Sequence, residues 1–193
     1  NVRTDGQRSS LNMVTITMRN NSRGMSEFDH PLMQSNITRE DLDALIIYLQ
    51  EDQPRLTQGK NVELFEQEWS NWLGVKYSVF VNSGSSANLL SLAILTNPKF
   101  SKKLNSGDEV ITPALTWSTT VYPMVNNGLK PVFVDVDPET FCLDENKIEE
   151  AITKKTKAIM PVHLLGNTAN MLKIQDIAER HNLFVIEDSC EAH

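Results

Sequence analysis

From residue 76 onward, short apolar runs rich in Val, Ile and Phe alternate with helical stretches, and no other feature limits the fold so tightly. The runs fall at 76–82, 109–112, 131–135, 157–162 and 183–187. Helical patterns lie between them at 86–96, near 118–126, at 145–153 and at 170–181. Runs such as Pro131-Val132-Phe133-Val134 lack the polar alternation of a half-solvated strand, so they suit a sheet covered on both faces. Repeated β–α units of this kind predict a mostly parallel α/β sheet with flanking helices and right-handed crossovers. Ligands in such sheets bind beyond the carboxyl ends of the strands.

The chain before residue 76 reads differently. Residues 1–30 are polar and without sustained periodicity, and are expected to be a disordered or loosely attached lead-in. Residues 31–75 are expected to form a helical segment. One helix follows Thr38, which with Asp41 resembles a capping box, and its stripe is Leu42, Leu45, Ile46 and Leu49. A second runs over 61–73 with Val62, Phe65, Trp69 and Trp72 on one face and Gly74 as its stop. Those aromatic residues at helical spacing read as core or subunit-contact residues. Residues 76–193 would then be the first part of a larger domain. The chain starts at Asn1 and stops at His193, directly after a strand-like segment, so a fragment of a longer protein is expected.

Composition narrows the function classes. A net charge of −7 and the lack of a basic stripe argue against nucleic acid as a partner. Cys142 and Cys190 form neither a disulfide framework nor a metal-ligand spacing, and a reduced cytoplasmic compartment is the default. No apolar run is long enough for a membrane span, and no metal is expected.

The strand-end rule turns scattered residues into a candidate site. The run 76–82 breaks into Ser83-Gly84-Ser85-Ser86 and then a helix. A strand, a tight turn and a helix start aim free backbone N–H groups at one spot, which suits a phosphate; an ordinary serine-capped loop is the plain alternative. Beyond 109–112 comes Thr116-Trp117-Ser118-Thr119-Thr120, with an indole placed to stack on a planar ligand. The last run ends in Glu187-Asp188-Ser189-Cys190-Glu191. Glu187 and Asp188 point to opposite faces, so at most one serves the site. A phosphate seat, an aromatic plate and a carboxylate suit a flat, phosphorylated heteroaromatic cofactor whose ring nitrogen the carboxylate keeps protonated. Asp135 and Asp137 read as turn formers before Pro138, and His163 is given no role.

From about Pro31 to His193 the chain resembles the pyridoxal-phosphate-dependent sugar aminotransferases of the DegT/DnrJ/EryC1/StrS family. The motifs that carry this are Leu56-Thr57-Gln58-Gly59 with Phe65-Glu66, Asn82-Ser83-Gly84-Ser85-Ser86-Ala87, and Gly107-Asp108-Glu109-Val110-Ile111-Thr112-Pro113. They continue in Lys130-Pro131-Val132-Phe133-Val134-Asp135-Val136-Asp137, Thr156 through Gly166, and Val185-Ile186-Glu187-Asp188. The resemblance implies part of a three-layer fold-type-I large domain binding pyridoxal 5'-phosphate or pyridoxamine 5'-phosphate. It implies that Gly84 and Ser85, with Ser86, hold the phosphate, that Trp117 stacks on the ring, and that Asp188 pairs with the ring nitrogen. Glu191 would lie near the ring hydroxyl. It also implies a homodimer with active sites at the subunit interface; residues that read the sugar are expected partly beyond His193 and partly in the partner subunit.

No catalytic residue is assigned within the chain. The family's lysine, which links covalently to the cofactor, lies beyond the aspartate and so beyond His193; Lys154, Lys155 and Lys157 flank a strand start at the wrong end of the sheet. The expected activity is amino transfer from glutamate to a keto-sugar nucleotide, with residues 1–193 alone inactive. The wording of Ser83–Leu90, Thr116–Thr120 and Glu187–Glu191 also resembles the family's sugar 3-dehydratases, which use the pyridoxamine form and replace the lysine with histidine. A non-catalytic ligand-binding domain is the third expectation.

Overall fold

The computed structural model describes residues 36–192, so the expected lead-in at 1–30 lies outside the described residues. The chain divides after Leu56 into two units. In the first, α1 (Arg39–Leu49) starts at the predicted box: the Thr38 hydroxyl accepts from the Asp41 N–H, and the Asp41 side chain accepts from the Thr38 N–H. Tyr48 donates its hydroxyl proton to the Arg55 carbonyl at 2.8 Å, closing the turn that follows.

The second unit opens with α2 (Lys60–Leu73), which Gly74 ends in the left-handed conformation, φ 72°. The Val75 N–H returns to the Ser70 carbonyl at 3.0 Å, satisfying one of the last helical acceptors. Next come α3 (Gly84–Leu95), β1 (Glu109–Pro113), α4 (Ser118–Asn126) and β2 (Lys130–Val134). A short 3-10 turn leads to α5 (Ile148–Ala151), then β3 (Thr156–Ile159), α6 (Met171–His181) and β4 (Phe184–Val185). All pairings are parallel, in the order β2-β1-β3-β4.

Both faces of the sheet are covered, as its apolar strands demand. On one face Val110, Ala158 and Met160 pack with Leu92 of α3 and Met124 of α4. On the other, Ile111, Val134 and Ile159 meet Ile148 of α5 and Ile174, Ile177 and Ala178 of α6. The result is three layers, helix, sheet and helix. Leu92, Val110, Ile111, Ile148, Ile159 and Ile174 are fully buried, and such a side chain contributes about 1.5–3 kcal/mol relative to exposure.

One expected strand is absent among the described residues. Residues 76–82 join no ladder among the described residues. A strand exists only by its partner, and two of this segment's polar groups bond to α2 instead. The Phe80 N–H donates to Glu66 Oε1 at 2.8 Å, and the Ser78 and Ser70 hydroxyls bond at 2.8 Å. Phe80 also meets Phe65 edge-on, 5.5 Å between centroids. The aromatic face of α2 is not core here: Phe65 and Trp72 are exposed, and Trp69 lies 5.9 Å from Phe65 and 5.0 Å from Trp72.

Candidate cofactor site

The carboxyl ends of β1 and β3 and the segment after β4 converge with the start of α3 on one cavity of about 300 Å³. Its walls include Gly84, Ser85, Trp117, Asp188 and Glu191, five of the six residues expected there from sequence. Ser86, the sixth, lies beside it. Its N–H donates to Ser83 Oγ at 3.2 Å and its hydroxyl to Asn82 Oδ1 at 2.6 Å, so both serve the loop's own shape. With Ser83 capping Ser86 and its carbonyl taking the Ala87 N–H, the first-turn N–H groups of Gly84 and Ser85 remain for an incoming acceptor. Trp117 sits at the N-terminus of α4 with its indole exposed along the wall.

Asp188 is the best-anchored group of the site. A parallel bridge between Val162 and Asp188 carries the β3–β4 pairing past the end of both strands, with the His163 N–H on the Asp188 carbonyl at 3.0 Å. Backbone alternation then sends Val162 and Asp188 into the cavity, and His163 and Glu187 to the reverse side. There the buried His163 accepts the Ala169 N–H on Nδ1 at 3.2 Å, so Nε2 carries the proton toward Glu187 Oε2 at 3.1 Å. His163 and Glu187 are thus a structural pair. Asp137 is the turn former expected of it, accepting the Glu139 N–H at 2.7 Å.

Asp188 is 4% exposed. Its Oδ2 accepts from Asn88 Nδ2 and from Thr120 Oγ1, each at 2.8 Å, and its Oδ1 accepts the Cys190 N–H at 3.2 Å. Burial pushes its pKa up, but hydrogen bonds from Cys190, Thr120 and Asn88 outweigh that and hold it below the ordinary carboxylate value. The site therefore presents a buried anion. Burial of the Cys190 sulfur and the adjacent Asp188 push the Cys190 thiol up to about 12, although the residue is exposed overall, so it stays protonated beside the carboxylate. Glu191 Oε2 accepts the Leu165 N–H at 2.8 Å, which fixes the carboxylate on the cavity rim.

Gly84 has a steric reason to be glycine. A Cβ there would stand 2.1 Å from Cys190 Sγ and 3.0 Å from Cys190 Cβ, so α3 and the 188–191 turn approach more closely than a side chain permits. Cys190, Thr119, Thr120, Val162 and Asn88 were not picked out from sequence. The signals were weak: hydroxyls beside Trp117, and an asparagine within an apolar helix one turn after Gly84.

Comparison with known proteins places this geometry. A model of the DegT/DnrJ/EryC1/StrS aminotransferase family matches residues 35–193. The chain belongs to that family. It is 49% identical over 138 residues to the lipopolysaccharide biosynthesis protein RfbH of Salmonella typhimurium, covering 71% of this chain and 32% of that protein. It is 41% identical over 157 residues to the 3-oxo-glucose-6-phosphate:glutamate aminotransferase of Bacillus subtilis, covering 80% and 34%. The structure of the E. coli GDP-4-keto-6-deoxy-D-mannose-3-dehydratase with bound hydrated PLP superposes with a TM-score of 0.78 at 40% identity, over 85% of this chain and 41% of that one. The chain thus spans 30–42% of the length of the curated relatives it matches. Its α/β/α sheet is part of the fold-type-I architecture shared by these family members.

Proposed function

We propose that the whole protein carrying this chain acts on a keto-sugar nucleotide with pyridoxal 5'-phosphate or pyridoxamine 5'-phosphate seated in this cavity. The buried, ionised Asp188 carries the reading, because an anion held there by Asn88, Thr120 and Cys190 has no counter-charge among the described residues that line the cavity and faces an indole and free helix N–H groups. Gly84 and Ser85 would take the phosphate, Trp117 would stack on the ring, Asp188 would hold the ring nitrogen protonated, and Glu191 would face the ring hydroxyl. When bound, the cofactor supplies an electron sink for the carbon that bears nitrogen. Asp188 sustains that role through charge, and Trp117 shields the ring from water.

The first reading is amino transfer from glutamate, supported by family membership and by likeness to the B. subtilis aminotransferase. The second is pyridoxamine-dependent loss of a hydroxyl beside the ketone, supported by likeness to the E. coli dehydratase. The two differ in the residue that moves the proton, and among the described residues no lysine or histidine lines the cavity. A homodimer in the cytoplasm accords with either reading, as does residues 76–193 being the first part of the cofactor domain. The test is to supply the whole protein with the cofactor, glutamate and GDP-4-keto-6-deoxymannose. An amino sugar, with borohydride fixing the cofactor to the protein, supports the first reading. A 3-deoxy sugar with no such adduct supports the second. Cofactor binding with neither product would leave a ligand-binding domain.

A further inference from the structure

We propose that Asn88 and Thr120 are positioning residues that together clamp one oxygen of Asp188, turning the other toward the cofactor's ring nitrogen. This rests on the reading of the cavity as a pyridoxal- or pyridoxamine-phosphate site. Three separate elements meet at the carboxylate: Asn88 from α3, Thr120 from α4, and Asp188 from the end of the sheet. They lie 100 and 68 positions apart in the chain, so local turn chemistry does not account for them. Asn88, Thr120 and Asp188 are 5%, 1% and 4% exposed. Polar groups so deeply buried need partners, and here two of them spend their donors on a single oxygen.

The donor directions are fixed by chemistry. An ionised carboxylate only accepts, so Thr120 must donate to it, and Thr116 must donate in turn to Thr120 Oγ1 at 2.9 Å. Asn88 Nδ2 lies near two acceptors, Asp188 Oδ2 at 2.8 Å and the Thr119 carbonyl at 3.4 Å, which sets its amide orientation. With Oδ2 saturated, Oδ1 accepts the Cys190 N–H at 3.2 Å, and the Cys190 thiol also donates to the carboxylate. The clamp acts in two ways: it aims Oδ1, and it keeps the carboxylate ionised before the cofactor arrives. The latter follows because donors to a carboxylate favour its charged form.

The consequence is a pH signature. The titratable groups facing Asp188 are Cys190 and Glu191 on its own turn. None of the cavity residues contributed by α3, α4 or the end of β3 titrates, and His163 and Glu187 lie on the reverse side. Loss of either donor raises the proton affinity of Asp188. Binding that needs the anion then fails at a higher pH, and the acid limb of cofactor affinity moves up by about one pH unit.

The experiment measures the affinity of the whole protein for pyridoxamine 5'-phosphate and for its 1-deaza analogue, which lacks the ring nitrogen, from about pH 3 to 8. The variants are Asn88→Leu, Thr120→Val and Thr120→Ser. We expect Asn88→Leu and Thr120→Val to lose about tenfold in pyridoxamine phosphate affinity near the acid limb, as a one-unit shift requires. Binding of the deaza analogue stays unchanged, and Thr120→Ser rescues the wild-type profile. The analogue removes the contribution of the phosphate's own titration. If the two apolar variants keep the wild-type acid limb, or weaken both ligands equally, the proposal is overturned and the site reading stands. If the wild-type protein itself does not distinguish the two ligands, the assignment of Asp188 to the ring nitrogen falls, and the clamp falls with it.

Discussion

At the scale of single residues, the site depends on how near α3 can come to the turn after β4. Gly84 offers no Cβ, and the Cys190 sulfur occupies the space one would fill. Gly84→Ala should therefore push the 188–191 turn outward and displace Asp188 and Glu191 together. The nearest obstacle is the end of a side chain, so Cys190→Ala removes the worst overlap and leaves the 3.0 Å approach of Cβ. We expect Gly84→Ala to weaken pyridoxamine phosphate binding at least tenfold, or about 1.4 kcal/mol, and the double variant to recover part of it. Titration of the four proteins checks this, and purely additive losses would show that the residues do not compete for space. That Gly84, Ser85, Trp117 and Asp188 would meet in one cavity was legible from the expectation that strand ends carry ligands in this class of sheet, whereas Glu191 was singled out only by the family resemblance. Cys190 and Asn88 were not legible, because a thiol filling a missing Cβ and an amide aimed across the molecule leave no local pattern.

At the scale of elements, caps and periodicity located the helices closely, and partners decided the strands. The Thr38–Asp41 box and the glycine stop at 74 appear where their sequence signatures lie, because a cap is a contact among neighbours. The expected helix at 145–153 is a 3-10 turn followed by one turn of α-helix, with Asp144 capping the former by accepting the Asn146 N–H. The strand-like run 76–82 joins no sheet among the described residues, with Val79 and Tyr77 exposed and two of its polar groups bonded to α2. Pairing across tens of residues is not written in local propensity. The clearest stability prediction concerns Gly74, held at φ 72° with nothing within 4 Å of a built Cβ. Gly74→Ala meets no clash and suffers only the left-handed backbone cost, about 1 kcal/mol. Denaturant unfolding of the whole protein should show a lower midpoint with an unchanged slope. An unaltered midpoint would mean that the helix end relaxes at no cost.

At the scale of the molecule, the chemistry is divided between what this chain holds and what it lacks. The cavity brings together a buried anion, free helix N–H groups and an aromatic wall, at the carboxyl end of a parallel sheet that points its strand ends one way. Among the described residues, no lysine or histidine lines it. Among the described residues its titratable members are Asp188, held ionised, Cys190, held as a thiol, and Glu191, tied to the Leu165 N–H. The lysines that flank β3, Lys154, Lys155 and Lys157, stand at its amino end, and Lys157 donates to the Lys154 carbonyl at 3.2 Å. Residues 1–193 by themselves should therefore take up pyridoxamine phosphate without turning over a keto-sugar nucleotide, whereas under the proposed function the whole protein is expected to do both. Binding with a defined stoichiometry but no product from the short chain would agree with that division of labour. Measurable turnover by the short chain would instead require one of its own residues to carry the proton, and Glu191, on the cavity rim, would be the first to replace with glutamine.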